Sequence, residues 1–361
     1  MINDVDKSSN KQISWLNLVR VFACMSVVFF HVINGYMKDS YNYTQMKWPV
    51  YMGLLHSILR LYHVPTFFCI SGFLYQKRIA STLSQWDKGK FLIKYTIFEF
   101  KKFINLMIPY YVFSIMYIFL SSFLESDMHT AYGFEQILIL YKIPVAQYWY
   151  LLTLFFIFLL IPWMILIIKN VYVIFAFSMV LYFSTMWFNI PINGLQSRMV
   201  FFVLGCILAR IGVMDRLSKI FKPIISIAIV VFVLVAYSVY YCNFNSGLNA
   251  YFIEIIVSII LICAIFILCT YAENKYVTKK IVKIAPYTMH IYIIHTWITG
   301  GIRVILRHLG IYSILPHVVI GFIIGGGISI AVSIIIKKIW WANIWFEPMS
   351  TYQIKFLKSS K

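Results

Sequence analysis

Charge is scarce in this chain, and acid scarcer still: 12% of its 361 residues are charged, with 12 Asp or Glu against 31 Lys or Arg. A chain so poor in charge and 61% hydrophobic cannot hide its apolar surface in one water-soluble core. Lipid must be its solvent. Linkers rich in Gly, Pro or Ser are missing, as are internal repeats and low-complexity blocks, so we read one membrane domain over 1–361. Within it, 1–13 form an N-terminal tail, 14–336 the bundle and 337–361 a C-terminal tail. No metal-ligand pattern such as HExxH is present, and no metal is expected. The six cysteines show no metal or disulfide spacing; five lie inside apolar runs and Cys242 at the end of another, as packing residues do. Phosphate-binding glycine loops are absent too. The pairs and runs that do occur, Ser71-Gly72 and Gly325-Gly326-Gly327, suit close helix approach.

The formal net charge of +19 would suggest a nucleic-acid partner in a soluble protein. Here the cations fall in short tracts between long apolar runs, which is the positive-inside pattern, and no nucleic acid is expected. A spanning helix needs about 20 apolar residues and satisfies its own backbone. Such runs lie near 14–35, 63–76, 104–124, 148–168, 171–188, 199–213, 223–242, 251–271, 286–304 and 314–336, the second and sixth being short. The expected fold is all-α and polytopic, with about ten transmembrane helices. An N-terminus in the cytoplasm places 23 Lys/Arg on the cytoplasmic side and seven on the other, with Arg20 inside the first span. That asymmetry puts both termini in the cytoplasm. The first dozen residues are polar and the first apolar run carries Arg20, so a cleaved signal peptide is not expected. Lys47 to Arg60 suits either an interfacial segment or an ordinary loop, and 339–346 (IWWANIWF) reads as an aromatic interfacial anchor.

Ionisable residues inside a membrane helix are costly enough to mark function by default. The first span holds two, Arg20 and His31. Eleven residues come to about 20° past three turns, so they share a face about 16 Å apart along the axis. The same pattern also suits an Arg that snorkels to the interface and a His that hydrogen-bonds across helices.

The segment around this pair, LVRVFACMSVVFFHV, resembles the opening helix of the acyltransferase 3 family of integral membrane acyltransferases. VPTFFCISGFLY (64–75) is similar to that family's second-span segment, followed by Lys101, Lys102 and the pair Pro109-Tyr110. QYWYLLTLFFIFLLIPW (147–163), RMVFFVLGCILAR (198–210) and PYTMHIYIIH (286–295) continue the resemblance over nearly the whole chain. Gln147 stands where many members have His, Thr288 where Ser is usual, and Arg60 lies one residue further from Val64-Pro65 than the pattern has it.

The resemblance implies transfer of an acyl group, usually acetyl, from cytoplasmic acyl-CoA to a hydroxyl of a surface polysaccharide, such as an O-antigen, or its lipid-linked precursor. The setting it implies is the bacterial inner membrane. The donor is acetyl-CoA or another acyl-CoA acting as a substrate, no bound cofactor is expected, and the partners are the glycan and membrane lipids. His31 is then either the base that takes the hydroxyl proton or an acylated intermediate. Arg20 would hold a CoA phosphate, with Lys101 and Lys102 sharing the work or serving only as positive-inside anchors. His295 matches the family's terminal His. Glu254 is the carboxylate well inside an apolar run, where it pairs with a cation or assists His31. Arg198 suits either a glycan or diphosphate contact or a helix-end cation, and Trp149, Tyr150 and Tyr292 suit either stacking on sugar faces or an interfacial aromatic belt. A glycan flippase or exporter, or a polymerase, is the rival reading, which the run of motifs in family order disfavours.

Overall fold

A computed structural model describes residues 14–42, 46–80, 88–123, 132–188, 190, 194–212, 222–244, 248–272 and 275–351. Among them there is no strand. Ten long helices follow one another: α1 Ser14–Asn42, α2 Val50–Tyr75, α3 Lys88–Phe123, α4 Trp149–Ile168 and α5 Val171–Ser184, then α6 Leu195–Ile211, α7 Pro223–Phe244, α8 Leu248–Ala272, α9 Thr288–His308 and α10 Ile314–Lys338. Eight of these are long and apolar enough to cross a membrane; α5 and α6 are the shorter two. The protein is an all-α, multi-pass membrane protein.

The helices stop where local chemistry stops them. The Asn170 side chain accepts the Tyr172 amide at 2.9 Å and opens α5, supplying one of the orphan donors of a helix start. α6 closes on Gly212 at φ 63°, a left-handed position where glycine carries no Cβ penalty.

Lipid exposure agrees with the composition. α7 presents Ile224, Ile227, Val231, Phe232, Val235 and Val239 outward, an apolar face suited to hydrocarbon. Inside, α1 is central and packs against α2, α8, α9 and α10. The closest pair is α2 with α6. A Cβ on Gly72 would fall on the Phe202 carbonyl oxygen, and one on Gly205 would fall on the Cys69 carbonyl oxygen. With no hydrophobic drive between helices in lipid, such backbone approach is how they hold together.

Three sequence expectations change. The second span is not a short helix at 63–76, because α2 starts at Val50 and takes in most of the Lys47–Arg60 segment, which is thus neither an interfacial segment nor a loop. Its polar residues are satisfied within the bundle: His56 Nε2 meets Asn34 Oδ1 at 3.2 Å, Tyr237 donates to Ser57 at 3.4 Å, and His63 Nδ1 bonds the Leu59 carbonyl at 2.5 Å. Hydropathy reads these residues as a break; packing does not. In the 339–346 tail, Trp340, Trp341 and Trp345 are exposed as expected, but Phe346 is buried against Phe113 and His290, with ring centroids 4.4 and 4.7 Å away. The cysteines are free, in line with their spacing, but Cys242 is exposed rather than packed.

Arg60 and Glu254 meet at 2.5 Å, their side chains 50% and 23% exposed. The pair is not sealed inside the bundle, and at an aqueous interface such a pair contributes about 1 kcal/mol or less. Arg60→Ala is therefore expected to move the thermal unfolding midpoint of the purified protein only slightly, and loss of the folded protein would show that the pair holds α2 to α8.

Candidate functional site

One helix face organises the centre of the molecule. α1 runs unbroken from Ser14 to Asn42, so Arg20 and His31 do lie on one face, about 16 Å apart. Lys38 joins them: eighteen residues from Arg20 are five full turns. His31 and Lys38 both border a cavity of about 560 Å³, walled further by α3, α9, α10 and the chain before α4. Arg20 lies deeper, towards the end of the bundle where α1 begins.

His31 makes no hydrogen bond to the described residues. Its ring faces that of His295 on α9 at a centroid distance of 5.0 Å. His295 is fully buried, and its Nδ1 bonds the Ile291 carbonyl at 3.0 Å. A carbonyl only accepts, so Nδ1 carries the proton and Nε2 the lone pair. That Nε2 is buried without a hydrogen-bond partner. His63 is arranged in the same way, with Phe30 stacked on it at 4.4 Å and edge-on to His31 at 5.4 Å. The site therefore offers an imidazole open to a cavity, beside a second whose tautomer is fixed.

A file of rings connects the two ends of the face. Arg20 is within electrostatic range of Tyr150; Tyr150 meets Tyr292 at 5.4 Å, and Tyr292 meets His295 at 6.2 Å. The Tyr292 hydroxyl donates to the Gln147 carbonyl, and Gln147 Nε2 donates to the Ile293 carbonyl at 3.1 Å. These bonds strap α9 to the start of α4. Ala146 beside them sits at φ 46°, a left-handed strain that persists only where surroundings impose it, and its amide donates to the Tyr132 hydroxyl at 3.3 Å.

A family model described as an acyltransferase domain matches residues 13–338. The chain belongs to the acyltransferase 3 family. No curated protein and no solved structure matches it. This membrane acyltransferase thus has the expected pair on α1, and the structure brings His31, His295 and Tyr292 into one neighbourhood with it.

The other expected residues lie elsewhere. Lys101 is exposed and borders a second hollow with Asn105, Glu347 and Ser350, while Lys102 lies 3.8 Å over the Phe158 ring. Arg198 stands 5.7 Å over the Trp149 ring, so these two candidates share one place. Glu254 is engaged by Arg60. Sequence reasoning named Tyr150 but missed Lys38, Thr296 and Arg303. Lys38 carried a signal, the seven-residue step from His31 that returns to the same face; the others are assembled by tertiary packing alone.

Proposed function

We propose that this acyltransferase moves an acyl group, in the simplest case acetyl, from a cytoplasmic acyl-CoA to a hydroxyl of a surface polysaccharide or its lipid-linked precursor. It would do so in the bacterial inner membrane with both termini cytoplasmic. The observation that carries the reading is the face of α1: a cation at one depth and, about 16 Å further on, an imidazole that opens on a cavity at the other end.

The chemistry suits those positions. A sugar hydroxyl is a poor nucleophile until a base removes its proton, and neutral imidazole is suited to that near neutrality. His31 would take the proton as the hydroxyl oxygen attacks the thioester carbonyl. The carbon–sulfur bond then breaks, and the departing thiolate receives the proton. The His295 Nε2 lone pair would accept from the other ring N–H of His31 and orient it. Arg20 would hold a phosphate of CoA in its planar fork, with Lys101 and Lys102 adding to the attraction of that end of the bundle for anions. The extended pantetheine arm has the reach to follow the Tyr150–Tyr292 file towards His31. Arg198, Trp149 and Glu254 would lie on the acceptor's approach rather than at the reacting atoms.

Mass spectrometry of surface glycans tests the reading. Cells lacking the gene are expected to lose one acyl group per repeat with chain length unchanged. Glycan that is unmodified in both strains but shortened or accumulated in the mutant would instead mean polymerisation or export.

A further inference from the structure

We propose that the acceptor entering the His31 cavity is anionic: it carries a carboxylate on a sugar, or the phosphate groups of a lipid carrier, close to the hydroxyl that reacts. This inference rests on the acyl-transfer reading and adds the class of acceptor.

The cavity wall carries cations and no carboxylate among its described lining residues: Lys38 and Arg303 border it, with His31 and His317 as imidazoles. The adjacent carboxylate, Asp39, is shared, with Arg303 Nε at 3.2 Å and Arg307 Nη1 at 3.7 Å. With Lys38, three cations gather around this acid among the described residues. Asp39 positions the arginines, and low-dielectric surroundings focus the field of the wall cations Lys38 and Arg303 into the cavity.

Topology does not account for the cluster. By the positive-inside count only seven Lys/Arg fall at this end of the bundle, and three of them, Lys38, Arg303 and Arg307, gather around one opening. The wall is also shaped for a guest. At Gly35 a Cβ would meet Arg303 Nη1 at 2.8 Å, so the missing side chain lets the guanidinium lie against α1. Gly300 and Gly301 border the cavity where an added Cβ would meet nothing within 4 Å, leaving open space beside the cationic rim. An Arg fork and a Lys ammonium above a ring-sized space are what a carboxylated or phosphorylated sugar would bind.

The test places a thiol inside the cavity and reads its field. Gly300→Cys, in full-length protein with Cys242→Ser and reconstituted in nanodiscs, is labelled with anionic sulfonatoethyl and cationic trimethylammonioethyl methanethiosulfonates. Relative to a small free thiol, the anionic reagent is expected to be favoured about tenfold, and Lys38→Glu to remove that preference. A ratio equal to that of the free thiol would overturn the proposal. Protection from labelling then reports the guest. The probes are a tetrasaccharide alternating glucuronic acid with N-acetylglucosamine, its carboxyl-reduced neutral form, and a neutral oligosaccharide ending in a diphosphate. Protection by either charged probe at about tenfold lower concentration than the neutral one supports the inference and says which anion is read. Equal protection by all three, or protection by none, defeats it. Failure of the acyl-transfer reading would appear separately, as glycan mass unchanged by loss of the gene.

Discussion

His31→Ala is expected to lower acyl transfer by about a thousandfold, within the range that a positioned general acid–base group contributes, while the protein still folds and inserts. The second half of that expectation follows from the environment. The His31 ring makes no hydrogen bond to the described residues and borders an existing cavity, so truncation enlarges a space rather than orphaning a partner. Arg20→Ala is expected to fail differently. Loss of a charged hydrogen-bonding partner for a phosphate is worth about 1.5–3 kcal/mol, which would appear mainly as a raised KM for acyl-CoA. Steady-state kinetics of the two purified variants makes the comparison. Near-normal turnover in His31→Ala would sink the catalytic assignment, and an unchanged donor KM in Arg20→Ala would remove the phosphate role.

The second large effect is expected in folding. Gly72→Ala and Gly205→Ala should each prevent accumulation of folded protein, at a cost above the roughly 1–3 kcal/mol of ordinary overpacking. The added methyl would strike backbone: the Phe202 carbonyl oxygen in one case, the Cys69 carbonyl oxygen in the other. A side chain can rotate away, whereas a carbonyl in the middle of a helix moves only with its helix. Gly301→Ala and Gly327→Ala are matched controls, since a Cβ at either position meets nothing within 4 Å. Size-exclusion chromatography after graded heating is the measurement. Normal yield and melting of the Gly72 and Gly205 variants would show that α2 and α6 can separate without loss of the fold.

Much of this molecule was legible because lipid imposes a simple rule on sequence. Uninterrupted apolar runs located the helices, and a fixed helical period placed Arg20 and His31 on one face before any contact was known. The rule misreads polar residues that face protein rather than water. His56, Ser57 and His63 lowered the hydropathy of the first half of α2, and only the positions of Asn34, Tyr237 and the Leu59 carbonyl show that they are satisfied. Glu254 illustrates another limit, since its partner Arg60 is 194 residues distant and no local pattern links them. The cavity was the least legible feature. Thr296 and Arg303 from α9 and Tyr117 from α3 border it together with His31, and only tertiary packing brings helices so far apart in the chain to one opening.

The shortness of α5 bears on the bilayer itself. Fourteen residues make a helix about 21 Å long, against a hydrocarbon thickness of about 30 Å, and its flank exposes Tyr172, Val173, Phe177 and Val180. Lipid chains alongside that flank must tilt or compress to meet it, at a fraction of a kcal/mol per Å of mismatch. The surrounding membrane is thereby a mechanical element of the protein: length and unsaturation of the host bilayer's acyl chains set a tension on one side of the bundle, and the stiffness of the lipid enters the energy of every conformation in which α5 moves.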